Sequence, residues 1–323
     1  MTRIVVPEPI HPDGMDLLRA SGHVVAAFES PATDAQLREA MPGAAAILVR
    51  TRPLPADLLA LAPDLRVVSK HGVGCDNIAV DHCSARGIPV AIATGANANA
   101  VAEYTLMLIL ACARQLTEQD AATRTGDWAV RQRAQAFELR GRTALVIGMG
   151  RIGSRVAPLC AAFGMRVLGH DPYAQFDGAE RADDLDAALA EADIVTLHTP
   201  LMPETTGLID TPRLARMKPG AILVNCARGG VADERAVIAA LESGHLGMYG
   251  TDVLVTEPMV PDDPLFRAPN VIATPHSAAM THESRRAMAT VSARNVLDAL
   301  AGCLPPDMIF NASALSAKRG ENP

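Results

Sequence analysis

The run Thr143 to Gly153, TALVIGMGRIG, constrains the fold of this chain more than any other segment. A short apolar stretch, rich in residues that favour strands, leads into three glycines spaced G-x-G-x-x-G. A helical pattern follows to about Phe163. In that context each glycine has a separate physical use. Gly148 permits a tight turn, Gly150 lets the backbone approach a pyrophosphate, and Gly153 lets the helix pack close to the strand. Arg151 and Ile152 at the helix start offer backbone N–H groups to a diphosphate. Asp171 ends the next apolar run, VLGHDPY, 18 residues after Gly153. A carboxylate there suits ribose hydroxyls and opposes a 2′-phosphate, so NAD is expected as cofactor rather than NADP.

The same alternation of short apolar runs and helical patterns extends over most of the chain. Before the fingerprint, strands are expected at Ile4–Val6, His23–Ala27, Ala46–Val49, Arg66–Ser69 and Pro89–Ile92. After it they are expected at Arg166–Gly169, Ile194–His198, Ala221–Asn225, Met248–Val253 and Val271–Ala273. Asn99 to about Thr117 reads as one long apolar helix. Further helices fit Asp183–Ala190, Thr211–Met217, Asp233–Ser243 and Thr281–Ala301, and Pro158 is expected to disturb the helix after the fingerprint. This is the signature of α/β architecture with parallel sheets covered on both faces. At 323 residues, two doubly wound domains are expected rather than one.

Composition removes several function classes. Net charge is −7 and the basic residues are scattered, which argues against nucleic acid as a partner. The longest apolar run, Tyr104 to Ala113, is too short to span a bilayer, so no membrane partner is expected. The amino-terminal residues lack the long apolar core of a signal peptide, and a cytoplasmic location is the default. The six cysteines show neither C-x-x-C pairing nor metal-ligand spacing, so free buried thiols and no metal are expected.

Three residues carry the candidate chemistry: Arg228 in AILVNCARGG, Glu257 in GMYGTDVLVTEP and His276 in NVIATPHSAAMTHES. Each follows an expected strand. Oxidation of an alcohol to a ketone needs a base for the hydroxyl proton, a cation for a neighbouring carboxylate, and a partner that fixes the base. His276 suits the base, Arg228 the carboxylate fork, and Glu257 the partner of the imidazole.

Together with the fingerprint, this ordered series resembles the D-isomer-specific 2-hydroxyacid dehydrogenase family. The resemblance covers nearly the whole chain. It implies a Rossmann NAD-binding domain, residues 99–289, inserted into a flavodoxin-like substrate domain made of residues 1–98 and 290–323. It also implies hydride transfer between NAD(H) and a small D-2-hydroxy acid such as 3-phosphoglycerate or glycerate. Thr199, Pro200 and Thr205 match a loop beside the cofactor. Cys226 and Ala227 match a segment near the nicotinamide ribose, and Asp252 matches the acid that holds the carboxamide. Lys70 to Asn77 resembles a glycine-rich substrate loop in which Val73 and Gly74 present N–H groups to a carboxylate. Arg50 and Asn97 match further substrate contacts, with Arg50 placed for a distal anion. A homodimer is implied; the apolar Tyr104–Ala113 helix is expected either to supply part of a two-fold interface or to be simply a buried crossing helix. Two other readings fit the scaffold: a formate- or phosphite-type dehydrogenase, and an NAD-binding corepressor-like protein with little turnover. Where many relatives carry a glycine pair after the histidine, this chain has Ser277-Ala278-Ala279.

Overall fold

A computed structural model describes residues 1–260 and 262–319. The chain divides into two units: residues Met1–Asn97 with Met280–Pro323, and residues Ala98–Ala279. The return to the first unit comes earlier than the expected position 290. The helix His282–Ala301 packs on the first sheet and on the helix Pro12–Ala20, so it lies entirely in the first unit.

The first unit holds five parallel strands, β1 (Arg3–Val6), β2 (Val24–Ala27), β3 (Ala44–Val49), β4 (Val67–Lys70) and β5 (Val90–Ile92), in the order β2-β1-β3-β4-β5. Every residue of β3 is buried, as expected for a central parallel strand covered on both faces. Alternate side chains divide between two cores. Ile4, Val6, Ala46, Leu48 and Val67 pack with Ala293 and Val296 of the helix His282–Ala301. Val5, Ile47, Val49 and Val68 face the other side with Leu37, Leu58 and Cys83. Gly14 makes the helix pairing possible, since a Cβ there would sit 2.6 Å from the Ala289 carbonyl oxygen.

The second unit holds seven parallel strands: β6 (Thr143–Ile147), β7 (Arg166–His170), β8 (Glu180–Arg181), β9 (Ile194–Leu197), β10 (Ala221–Asn225), β11 (Leu246–Thr251) and β12 (Val271–Ala273). Their order is β12-β11-β10-β9-β6-β7-β8, doubly wound with its switch point between β6 and β9. The two-residue β8 was not expected; it pairs with β7 at the sheet edge through Leu168 and Gly169. The first helix of the unit, Ala98–Ala113, lies on β10 and β11, where Gly250 would bring a Cβ to 3.0 Å from Cys112 Sγ. It stops short of the expected Thr117. Gln115 adopts φ 49°, the left-handed region, and a separate helix Leu116–Arg124 with no buried residue follows. The helix after the fingerprint runs through Pro158 from Gly153 to Ala162. Among the described residues no helix is long and apolar enough to cross a membrane, and no group of three or more metal-ligating side chains occurs. The six cysteines are free; five are buried and Cys303 is exposed.

Candidate active site

All the functional side chains expected in the second unit fall in segments that leave the carboxyl ends of its strands. In a parallel sheet those ends share one edge, and that edge is where such folds place their ligands. Gly148 follows β6, Asp171 follows β7, Thr199 follows β9, Cys226 to Arg228 follow β10, Asp252 follows β11 and His276 follows β12.

The glycine loop has the shape its sequence requires. Gly148 has φ 91°, and a Cβ there would lie 2.8 Å from the His198 carbonyl. At Gly153 a Cβ would meet Gly148 O at 2.0 Å, so the helix packs against the loop only with glycine. Around Gly150 nothing lies within 4 Å of the Cβ position, which leaves its backbone open to a ligand. Arg151 is exposed and Ile152 half-buried at the helix start. Asp171 accepts from the N–H groups of Met149, Tyr173 and Ala174, each at 2.9 Å. Burial pushes its carboxyl up, but those three backbone donors outweigh the burial and hold it below its ordinary value. The Asp171 carboxylate thus locks the glycine loop to β7 and keeps acceptor capacity for hydroxyl donors. These features fit a dinucleotide. Thr205 shapes the neighbouring loop: its hydroxyl donates to Pro200 O at 2.6 Å and accepts from Met202 N at 2.8 Å.

Arg228 is positioned by Asn225, a residue with no distinctive signal in the sequence. Asn225, fully buried at the end of β10, donates to Arg228 O at 2.9 Å and accepts from Ala227 N at 3.0 Å. That closes the turn Asn225-Cys226-Ala227-Arg228. Cys226 and Ala227 are buried inside it, and burial raises the Cys226 thiol to about 12, so it stays protonated. Gly229 then brings this turn against the next loop, since a Cβ there would sit 2.2 Å from Leu254 C. Leu254 N in turn donates to Glu257 Oε1 at 2.9 Å.

Glu257 Oε2 lies 2.7 Å from His276 Nδ1. Burial pushes the Glu257 carboxyl up; the His276 hydrogen bond, the Leu254 N–H and the charges of His276 and Arg228 outweigh it and leave the group lowered. A carboxylate at that position keeps the proton on Nδ1 and leaves Nε2 as the atom that exchanges protons. His276 has φ 51°, uncommon for a residue with a Cβ. Its backbone N–H donates to Asp252 O at 2.8 Å. Asp252, buried beneath the loop, accepts from Thr274 Oγ1 at 2.7 Å, Ser277 N at 2.9 Å and Ala278 N at 2.8 Å. It therefore ties down the histidine loop. Ser277, at the departure from the glycine pair, meets Tyr104 Oη through its hydroxyl at 3.2 Å.

In the first unit the expected substrate residues also follow strand ends: Arg50 after β3, and Val73 and Gly74 after β4; Asn97 lies in the turn that closes the segment Met1–Asn97. All four are half-buried. Glu8, beyond β1, is almost fully buried and accepts from the N–H groups of Arg50, Thr51 and Arg52 at 2.9, 2.8 and 2.9 Å. Its hydroxyl partner is Thr51. In the sequence Glu8 stands two residues past the first strand, after Pro7, with nothing else to mark it.

Residues 106–278 match the sequence profile described as D-isomer specific 2-hydroxyacid dehydrogenase, NAD binding domain. The D-3-phosphoglycerate dehydrogenase of Methanocaldococcus jannaschii is 38% identical over 99% of this chain, which spans 62% of that relative. The D-3-phosphoglycerate dehydrogenase of Mycobacterium leprae is 44% identical over 85% of this chain, with 52% of that protein covered. The chain thus spans between half and two thirds of the length of these two relatives. The (S)-sulfolactate dehydrogenase of Chromohalobacter salexigens is 42% identical, with 82% of this chain and 88% of that protein covered. Among solved structures, a Thermus thermophilus protein matches with a TM-score of 0.85 and 35% identity, covering 96% of this chain and all of the other. By its sequence profile and by relatives matched along most of its length, this chain belongs to the D-isomer specific 2-hydroxyacid dehydrogenase family.

Proposed function

We propose that the chain is an NAD-dependent dehydrogenase that interconverts a small D-2-hydroxy acid and its 2-oxo acid. The observation that carries this reading is the Glu257–His276 contact of 2.7 Å on the strand edge that also bears the dinucleotide fingerprint. Bound NAD supplies the hydride acceptor. In the oxidative direction His276 Nε2 takes the hydroxyl proton, and the resulting imidazolium is stabilised by the Glu257 carboxylate. Arg228 holds the carboxylate of the acid through its planar fork and fixes the face from which hydride leaves. In the reductive direction His276 returns the proton. Thr199, Pro200, Thr205, Cys226 and Ala227 line the cofactor. Arg50, Val73, Gly74 and Asn97 contact the substrate. The relatives named for 3-phosphoglycerate and sulfolactate point to an acid with a second anionic group. The chain functions as a homodimer, with Met107, 43% exposed, and Leu116, 56% exposed, as apolar contacts.

The test is NADH oxidation with a panel of short 2-oxo acids. His276→Ala should lower turnover by about 100-fold or more, since positioned proton transfer typically contributes about 10²–10⁴, while NADH affinity stays within a few-fold. Near-normal turnover in a folded variant removes His276 from this role. Activity confined to formate or phosphite, which yield no 2-oxo acid, replaces the reading with the other dehydrogenase chemistry.

A further inference from the structure

The two-residue strand β8 brings Arg181 to the acid that follows β7. Leu168 and Gly169 pair with Glu180 and Arg181, which sets β8 at the edge of the second sheet. From there the Arg181 guanidinium spans the turn after β7. Its Nη2 donates to Asp171 O at 3.1 Å and its Nη1 to Ala174 O at 3.2 Å. Nε donates to Asp183 Oδ1 at 2.8 Å, so the plane of the fork is fixed from a third side. The two carbonyls belong to the same turn whose Tyr173 and Ala174 N–H groups meet Asp171 Oδ1, each at 2.9 Å. One side chain thus gathers the N–H groups of residues 171–174 and the other gathers their carbonyls.

An aromatic ring completes the clamp. The Arg181 guanidinium carbon lies over the Phe176 ring, 5.3 Å from its centroid. The same ring covers Gly169 of β7, where a Cβ would stand 2.7 Å from Phe176 Cε2 and 3.1 Å from Met149 Cγ. Met149 belongs to the glycine loop, and its N–H donates to Asp171 Oδ2 at 2.9 Å. Phe176 therefore packs where β7, the glycine loop and Arg181 meet. The ion pair of Arg181 with Asp183 adds little, since the two side chains are 39% and 84% exposed. What distinguishes Arg181 is its hold on two carbonyls at once, which a planar fork makes and a flexible ammonium does not reproduce.

We propose that Arg181 is a positioning residue of the dinucleotide site: by clamping residues 171–174 it keeps the Asp171 carboxylate turned toward the ribose hydroxyls and against a 2′-phosphate. This rests on the dinucleotide reading of Asp171 given above. Arg181 acts through Asp171, ten residues before it in the chain, so NAD affinity and the preference for NAD over NADP depend on it together. Without the clamp the turn loses order and the carboxylate no longer faces one direction. NADH then loses a contact, while NADPH is relieved of a like-charge repulsion.

The experiment measures Kd for NADH and for NADPH by nicotinamide fluorescence with the full chain and its Arg181→Ala and Arg181→Lys variants. Arg181→Ala should raise Kd for NADH by about 10-fold, the scale of one charge-assisted hydrogen bond. Kd for NADPH should change little, so the ratio of the NADPH to the NADH value falls by about the same factor. A general loosening of the sheet edge weakens both cofactors alike; a ratio unchanged from wild type therefore overturns the assignment. Arg181→Lys separates geometry from charge. Values near those of Arg181→Ala support the fork, and wild-type values overturn it, because a positive charge alone then suffices. Wild type that binds neither dinucleotide sinks the dehydrogenase reading, and the assignment falls with it. Wild type that binds NADH while the variants match it sinks the assignment alone.

Discussion

Asp171 joins two functions in one carboxylate. It receives the Met149, Tyr173 and Ala174 N–H groups, and it presents its remaining acceptor capacity where a ribose would lie. A 2′-phosphate at that point would face a like charge. Wild type should therefore prefer NADH over NADPH, and Asp171→Ser should shift the ratio of their kcat/KM values toward NADPH by about 10-fold or more. Asp171→Asn removes the charge at nearly constant size but also loses one acceptor, since its amide nitrogen cannot receive a backbone N–H, so it should shift the preference the same way with some loss of loop order. Equal efficiency of wild type with both cofactors would show that the carboxylate does not discriminate. The legibility of single residues followed their chemistry. Asp171, Arg228, Glu257 and His276 were visible because their types and order suggest a reaction. Asn225 and Glu8 were not, since each acts by closing a turn whose partners are main-chain groups.

At the scale of elements, the site depends on how closely neighbouring loops approach. Gly229 is the clearest case, with its Cβ position 2.2 Å from Leu254 C. Gly229→Ala must push the Arg228 turn away from the loop that carries Glu257. A displacement of about 1 Å at a reacting centre can lower rate by roughly 100-fold, so kcat/KM should fall by about that factor. The far-ultraviolet circular dichroism spectrum should remain that of the wild type, because β10 and β11 are formed by their own buried side chains. A variant with wild-type kcat/KM would mean that the two loops are independent. The strands were largely legible as apolar runs, and their ends matched to within a residue or two. The break at Gln115 was not, because apolar composition continues across it and only the left-handed backbone of one residue separates the helices.

For the molecule as a whole, acid is the informative stress. Burial first, then Arg50 and Lys70, lower His71 from 6.5 to about 4. The unfolded chain takes up this proton before the folded one does. Stability is thus complete above pH 6.5, declines as pH falls toward 4, and levels off below that. A shift of this size corresponds to about 3 kcal/mol. Glu8 acts in the same direction lower down. Burial raises its carboxyl, but Thr51 and the N–H groups of Arg50 to Arg52 leave it lowered, so its contribution is lost as pH falls below its ordinary 4.5. Urea midpoints measured from pH 7 to 4 should decline steeply for wild type and less steeply for His71→Gln. Parallel curves for the two proteins would mean that His71 titrates alike in the folded and unfolded chains.

Read along the chain, the residues alone establish the class of fold, the glycine loop, the acid that follows it and the ordered Arg, Glu and His segments. These are local facts: the period of apolar residues, the backbone freedom of glycine and the chemistry of single side chains. The rest came from assembly in space. Strand order brings the six segments that follow β6, β7, β9, β10, β11 and β12 to one edge of the second sheet, although the residues lie far apart along the chain. The register of β3 with β4 places Arg50 next to His71, a pairing that no spacing in the sequence encodes. The burial of Asp252 and its engagement by Thr274, Ser277 and Ala278 are likewise decided by the fold. Burial and hydrogen-bond partners depend on which segments meet, and that is fixed only when the sheets assemble.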